Sequence, residues 1–140
     1  MIKESFSEHD TFQIGKVLGE QAVSGDIYLL NGDLGVGKTV FTKGFAEGLG
    51  IREPVTSPTF TILQEYEEGR LPLYHFDVYR ICEPEEMDEI GYEGYFYGKG
   101  VCLIEWAALI EELLPEDCVP VTIEKDLDKG FDYRLIRIGK

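Results

Sequence analysis

A three-layer α/β sandwich around a mixed, mostly parallel sheet is the fold class this sequence predicts. Two observations carry the prediction. Asp26-Ile27-Tyr28-Leu29-Leu30 and Val101-Cys102-Leu103-Ile104 are short, nearly unbroken apolar runs. They read as strands covered on both faces, as in the interior of a parallel sheet. Segments of helical periodicity alternate with such strands along the chain, the pattern of helices packed against a sheet. At 140 residues, 44% apolar and 29% charged, residues 1–140 are expected to form one domain around one core.

The elements follow in order. Ser7 with Asp10 resembles a helix N-cap and its box partner, after which Ile14, Val17, Leu18 and Ala22 recur at helical spacing until Ser24-Gly25. The first apolar strand then leads into a glycine-rich loop. A helix from about Lys38 to Leu49 follows, with Gly50 placed to cap it. Arg52 to Pro58 reads as a loop, and Thr59 to Glu65 and Leu73 to Tyr79 as strands joined across Glu67-Glu68-Gly69-Arg70. This mid-chain pair is expected to be antiparallel, which makes the sheet mixed. Pro84 opens a short acidic helix ending near Gly91. The second apolar strand precedes a helix over Ala107 to Leu114, and Val119 to Glu124 and Tyr133 to Ile138 form a closing strand pair.

Charge and cysteines narrow the classes of function. Thirteen Lys and Arg against 27 Asp and Glu leave a net charge of −14 with no basic cluster. Such a field repels nucleic acid, so tight direct binding of tRNA by this chain alone is not expected. The acidic run Glu83, Glu85, Glu86, Asp88, Glu89 and Glu93 is either a solvated helix face or a docking face for a basic partner. No apolar run is long enough to span a membrane, and Met1 to Glu8 lacks the basic and apolar regions of a signal peptide. Cys82, Cys102 and Cys118 form no C-x-x-C pair, which favours reduced thiols and a cytoplasmic location.

The octet Gly32-Asp33-Leu34-Gly35-Val36-Gly37-Lys38-Thr39 matches G-x-x-x-x-G-K-[ST] in full, between a strand and a helix. Glycines let backbone N–H groups converge on phosphate oxygens, and the helix that follows presents its positive dipole end to the anion. Lys38 is placed for the β- and γ-phosphates, and the Thr39 hydroxyl for Mg²⁺. The fold class thus narrows to the P-loop NTPase type. Such a site needs an acidic residue at the end of a buried strand. Glu105, closing Val101-Cys102-Leu103-Ile104, and Asp77, closing Tyr74-His75-Phe76, are both candidates. Thr56-Ser57-Pro58-Thr59 lies where switch loops of this class reach the γ-phosphate. Trp106 stands beside the nucleotide or in the core. Arg80 and Arg134 are candidates for phosphate or base contact, and His9 and His75 receive no catalytic role.

The guanine-reading [NT]-K-x-D motif fails at Glu124-Lys125-Asp126-Leu127, and the five arginines are too scattered for a nucleotide kinase. Adenine is the expected base, with water or nothing as phosphoryl acceptor. The octet, Ser57-Pro58-Thr59-Phe60, His75-Phe76-Asp77-Val78-Tyr79-Arg80 and Leu103-Ile104-Glu105-Trp106 occur in this order and together resemble the bacterial TsaE (YjeE) family, from about Thr11 to the C-terminal strands. The resemblance implies an ATP- and Mg²⁺-dependent ATPase, slow and partner-coupled. It would act on a TsaD–TsaB complex in the modification of tRNA with threonylcarbamoyladenosine. The alternative is a nucleotide-gated interaction module in which hydrolysis is incidental. The implied catalytic residues are Lys38, Asp77 and Glu105, with Thr39, Glu105 and Asp77 at the metal. Asp33, Gly35, Val36, Gly37, Lys38, Thr39, Val40, Thr11, Thr59, Trp106 and Arg134 would line the nucleotide site. The acidic charge fits, because the partners would grip the tRNA.

Overall fold

The computed structural model describes residues 1–33, 35–58 and 60–139. In chain order the elements are β1 (Ile2–Ser5), α1 (Glu8–Gln21), β2 (Ile27–Asn31), α2 (Lys38–Gly48), β3 (Leu63–Tyr66) and β4 (Leu73–Asp77). There follow α3 (Glu86–Ile90), α4 (Tyr92–Phe96), β5 (Val101–Glu105), β6 (Val119–Lys125) and β7 (Arg134–Ile138). They form a seven-stranded sheet in the order β1-β7-β6-β2-β5-β4-β3. The inner strands β6, β2, β5 and β4 pair in parallel. The outer pairings β1–β7, β6–β7 and β3–β4 are antiparallel. The sheet is therefore mixed around a parallel centre. The antiparallel pair in the middle of the sequence lies at an edge, because β5 inserts between β4 and β2.

Both faces of the sheet are covered, as the unbroken apolar strands require. On β5, Val101 and Leu103 face a layer with Phe41 and Phe45 of α2 and Leu49 at its C-cap, while Cys102 and Ile104 face one with Met87, Phe96 and Ile110. Fully burying a side chain of this size is worth ~1.5–3 kcal/mol, so these alternating contacts hold the three layers together. Burial, with Cys118 nearby, also pushes the Cys102 thiol up to about 12.

The helix α1 starts at Ser7, whose side chain accepts from Asp10 N–H. The return bond runs from Phe6 N–H to the Asp10 carboxylate, one residue earlier than in the usual box. At the other end the Arg70 guanidinium donates to the carbonyls of Gly19, Glu20 and Ala22. A cation there satisfies orphan carbonyls and opposes the negative dipole end. Gly15 and Gly19 of α1 lie against Gly44 and Gly48 of α2 so closely that a Cβ on any of them would collide with the facing backbone, Gly44 with the Phe12 carbonyl and Gly15 with that of Phe41. The helix that begins at the phosphate loop is thus clamped, backbone to backbone, onto α1.

Some elements differ from the sequence reading. The strand expected from Thr59 begins at Leu63, because Ile62 N–H closes a turn onto the Pro58 carbonyl at 2.7 Å. Thr59 itself lies outside the described residues. The segment expected as a helix over Ala107 to Leu114 is 3-10 in Ala107–Leu113, broken at Ile110, where φ is −126°. β1 and α4 carried no sequence signal. No described helix is long and apolar enough to cross a membrane.

Candidate functional site

The loop between β2 and α2 is shaped by glycines where other residues strain. Gly35 and Gly37 have φ of 76° and 110°, and Gly37 is the N-cap of α2. The first intrahelical bond runs from Phe41 N–H to the Gly37 carbonyl at 3.0 Å. The N–H groups of Lys38, Thr39 and Val40 therefore precede the helix ladder and present an anion-binding terminus. Arg134 of β7 pins the loop from outside: its Nε donates to the Val36 carbonyl at 2.7 Å, and its Nη1 to the carbonyls of Phe131 and Tyr133.

Opposite the loop stand the C-terminal ends of β4 and β5, where open parallel sheets bind ligands. Asp77 and Glu105 are register partners, each at the end of its strand. Both are buried, at 6% and 8% exposure, which is costly for carboxylates unless they are used. Glu105 Oε1 lies 3.7 Å from Lys38 Nζ, and its Oε2 2.8 Å from His75 Nε2. Asp77 Oδ1 accepts from Tyr79 N–H at 3.0 Å. Trp106 takes a left-handed conformation with φ of 63°, which places its ring 4.7 Å from Lys38 Nζ and 4.9 Å from the ring of Tyr79. A non-glycine residue held in this region costs of the order of 1–3 kcal/mol and marks sites where geometry is imposed.

Gly35, Gly37, Lys38, Thr39, Val40, Ser57, Asp77, Glu105 and Trp106 thus line one cleft of about 300 Å³. An adjoining cavity of about 230 Å³ shares Gly35, Gly37 and Val40 and adds Val36, Thr11 and Arg134. Apart from Asp33 and Thr59, the sequence-predicted site residues therefore line one or other of these two neighbouring cavities. Thr11 is tied to Ser5, with hydroxyl oxygens 2.7 Å apart. Asp33 lies to one side, in a depression with Thr122 to Lys125. Arg80 stays at the surface over the Phe60 ring. Phe131 and Asp132, which also line the second cavity, carried no sequence signal, and neither did the His75–Glu105 contact.

A polyphosphate with a hard divalent cation fits this arrangement. Helix-terminal donors and a buried lysine face two carboxylates across one cleft. Among the described residues no group of three or more His, Cys, Asp and Glu side chains is assembled to hold a metal by itself. Magnesium suits so sparse a set, since it takes one or two carboxylates and completes its shell with phosphate oxygens and water.

A sequence-family profile described as "Threonylcarbamoyl adenosine biosynthesis protein TsaE" matches residues 5–134. The chain belongs to the TsaE family. Among its relatives, the tRNA threonylcarbamoyladenosine biosynthesis protein TsaE of Bacillus subtilis is 50% identical over 130 residues, 93% of this chain and 81% of that protein. The protein of the same name from Treponema pallidum is 47% identical over 119 residues, 85% of this chain and 87% of the other. The crystal structure of Bacillus subtilis YdiB superposes with a TM-score of 0.83 at 46% identity, covering 97% of this chain and 82% of that one. The TsaE match spans the loop, both carboxylate strands and Arg134. A P-loop α/β fold and a nucleotide-binding family thus stand together.

Proposed function

We propose that this chain is a slow, magnesium-dependent ATPase that works as one cytoplasmic domain in the threonylcarbamoyladenosine modification of tRNA, acting on a TsaD–TsaB complex. The observation that carries the reading is the single cleft in which the phosphate loop faces Asp77 and Glu105. Membership of a family whose relatives are named for this biosynthesis supplies the pathway.

In this reading the N–H groups of Gly35 to Thr39 and the Lys38 ammonium hold the β- and γ-phosphates. Lys38, poised beside Glu105 and over Trp106, exchanges the carboxylate for phosphate oxygen. Thr39, Glu105 and Asp77 would hold Mg²⁺, which neutralises charge developing on the phosphoryl oxygens. Asp77 holds Tyr79 N–H on its Oδ1, and its other oxygen would orient the attacking water. Thr11, Val36 and Arg134 line the nucleoside side. Asp33 and Thr59 complete the proposed set, Thr59 as the switch-loop contact to the γ-phosphate.

A nucleotide-gated module is the second reading. It is favoured by the backbone next to Asp77: Ile62, at φ 68°, accepts Asp77 N–H at 2.8 Å, so the loop before β3 is tied directly to the site. One experiment addresses both readings. ATP turnover and affinity for purified TsaD–TsaB are measured with ATP, ADP and no nucleotide. Partner-stimulated turnover with tighter docking in ATP supports the coupled ATPase. Gated docking at unchanged turnover supports the module. Absence of ATP binding to the wild-type chain would refute the site.

A further inference from the structure

His75 is a polar side chain in an apolar place. It follows Leu73 on β4, points to the same face, and pairs in register with Leu103 on β5. It is 2% exposed, and its Nδ1 has no hydrogen-bond partner among the described residues. Packing alone would put an aliphatic residue here, since a buried imidazole costs free energy unless it is hydrogen-bonded. Among the described residues its side chain makes one hydrogen bond, between Nε2 and Glu105 Oε2 at 2.8 Å. A carboxylate only accepts, so Nε2 carries the proton and donates it.

We propose that His75 is a positioning residue for magnesium: it holds Glu105 Oε2 inside the protein and so presents Oε1 to the cleft. The contact geometry supports this, since Oε1 is the oxygen that faces Lys38. Without the imidazole the carboxylate rotates about its last bond and samples orientations that turn both oxygens away from the metal position. Partners of this kind orient metal-binding carboxylates, and their removal costs about 10–100-fold in metal affinity or activity. The inference rests on the reading of Glu105 as a magnesium-holding residue.

The test compares wild type with His75→Leu, which keeps the bulk and removes the donor, and His75→Gln, whose amide N–H reaches the same carboxylate oxygen. Calorimetry with a non-hydrolysable ATP analogue, in Mg²⁺ and in EDTA, gives the factor by which magnesium tightens binding. His75→Leu is expected to lose about 10-fold of that factor with affinity in EDTA unchanged, so that KM for ATP in Mg²⁺ rises by the same factor, and kcat is expected to fall as well. His75→Gln is expected to restore both. If His75→Leu does not fold, His75→Asn, polar but too short to reach Oε2, replaces it. A folded His75→Leu or His75→Asn with the wild-type magnesium factor would overturn the inference alone, as would a His75→Gln no better than His75→Leu. A wild-type chain that gains nothing from magnesium would overturn the reading of Glu105 with it.

Discussion

The two walls of the cleft are built differently. The phosphate-loop wall is secured by backbone: α2 is locked onto α1 through Gly15, Gly19, Gly44 and Gly48, and Arg134 grips the Val36 carbonyl. The facing wall is made of side chains at strand ends, Asp77 and Glu105, beside the left-handed non-glycine residues Ile62 and Trp106. Donors that must always point at an anion sit on the rigid side. Groups that change partners, and the backbone that stores strain, sit on the other. For the proposed ATPase, the contrast predicts that binding and chemistry are separable.

Mutations can break that division. Glu105→Ala is expected to lower the proposed ATP hydrolysis by at least ~100-fold, about 2.7 kcal/mol of transition-state stabilisation, while nucleotide affinity in EDTA changes little. Steady-state turnover paired with calorimetry checks this, and a parallel loss of both would merge the two walls. Gly44→Ala acts on the other side. The added Cβ forces the helices apart against the Phe12 carbonyl, and chemical denaturation should show a loss of about 3 kcal/mol. Unchanged stability would remove the clamp from the account.

Arg134→Met has a smaller effect. It frees the Val36 carbonyl and is expected to weaken nucleotide binding about tenfold, roughly 1.4 kcal/mol, at nearly wild-type stability. Equal affinity would mean the loop holds its shape unaided. The smallest effect concerns the layer behind the carboxylates. With its thiol pushed up to about 12 by burial, Cys102 stays protonated at pH 8 and resists alkylation of the native protein, whereas exposed Cys82 reacts. Mass spectrometry of labelled protein distinguishes them, and rapid labelling of Cys102 would show the β5 layer to be loose.

The parts legible in sequence are those whose neighbours are close along the chain. The strand–loop–helix from Ile27 to Gly48 and the strand ending in Glu105 carry their periodicity and glycines in one stretch. What escaped depends on distant partners. β1 shows no pattern because three of its four residues are exposed and its pairing is with β7. Thr59 to Ile62 has strand-like composition, yet the Pro58 carbonyl captures Ile62 N–H and bends the chain. Nothing in Gly15, Gly19, Gly44 and Gly48 separately announces that they interlock. The His75–Glu105 contact exists only because β4 and β5 lie side by side.

The strand order has a consequence for synthesis. β2, which supports the phosphate loop, finds its two neighbours only in β5 and β6, and β1 waits for β7. A ribosome adding about 5–20 residues per second needs on the order of 4–14 s to pass from the end of β2 at Asn31 to the start of β5 at Val101. Through that interval α1 and α2 can meet, but β2 is an apolar strand with bare hydrogen-bonding edges. The nascent chain gains its sheet, and with it the cleft, nearly all at once as the segment from β5 to β7 emerges.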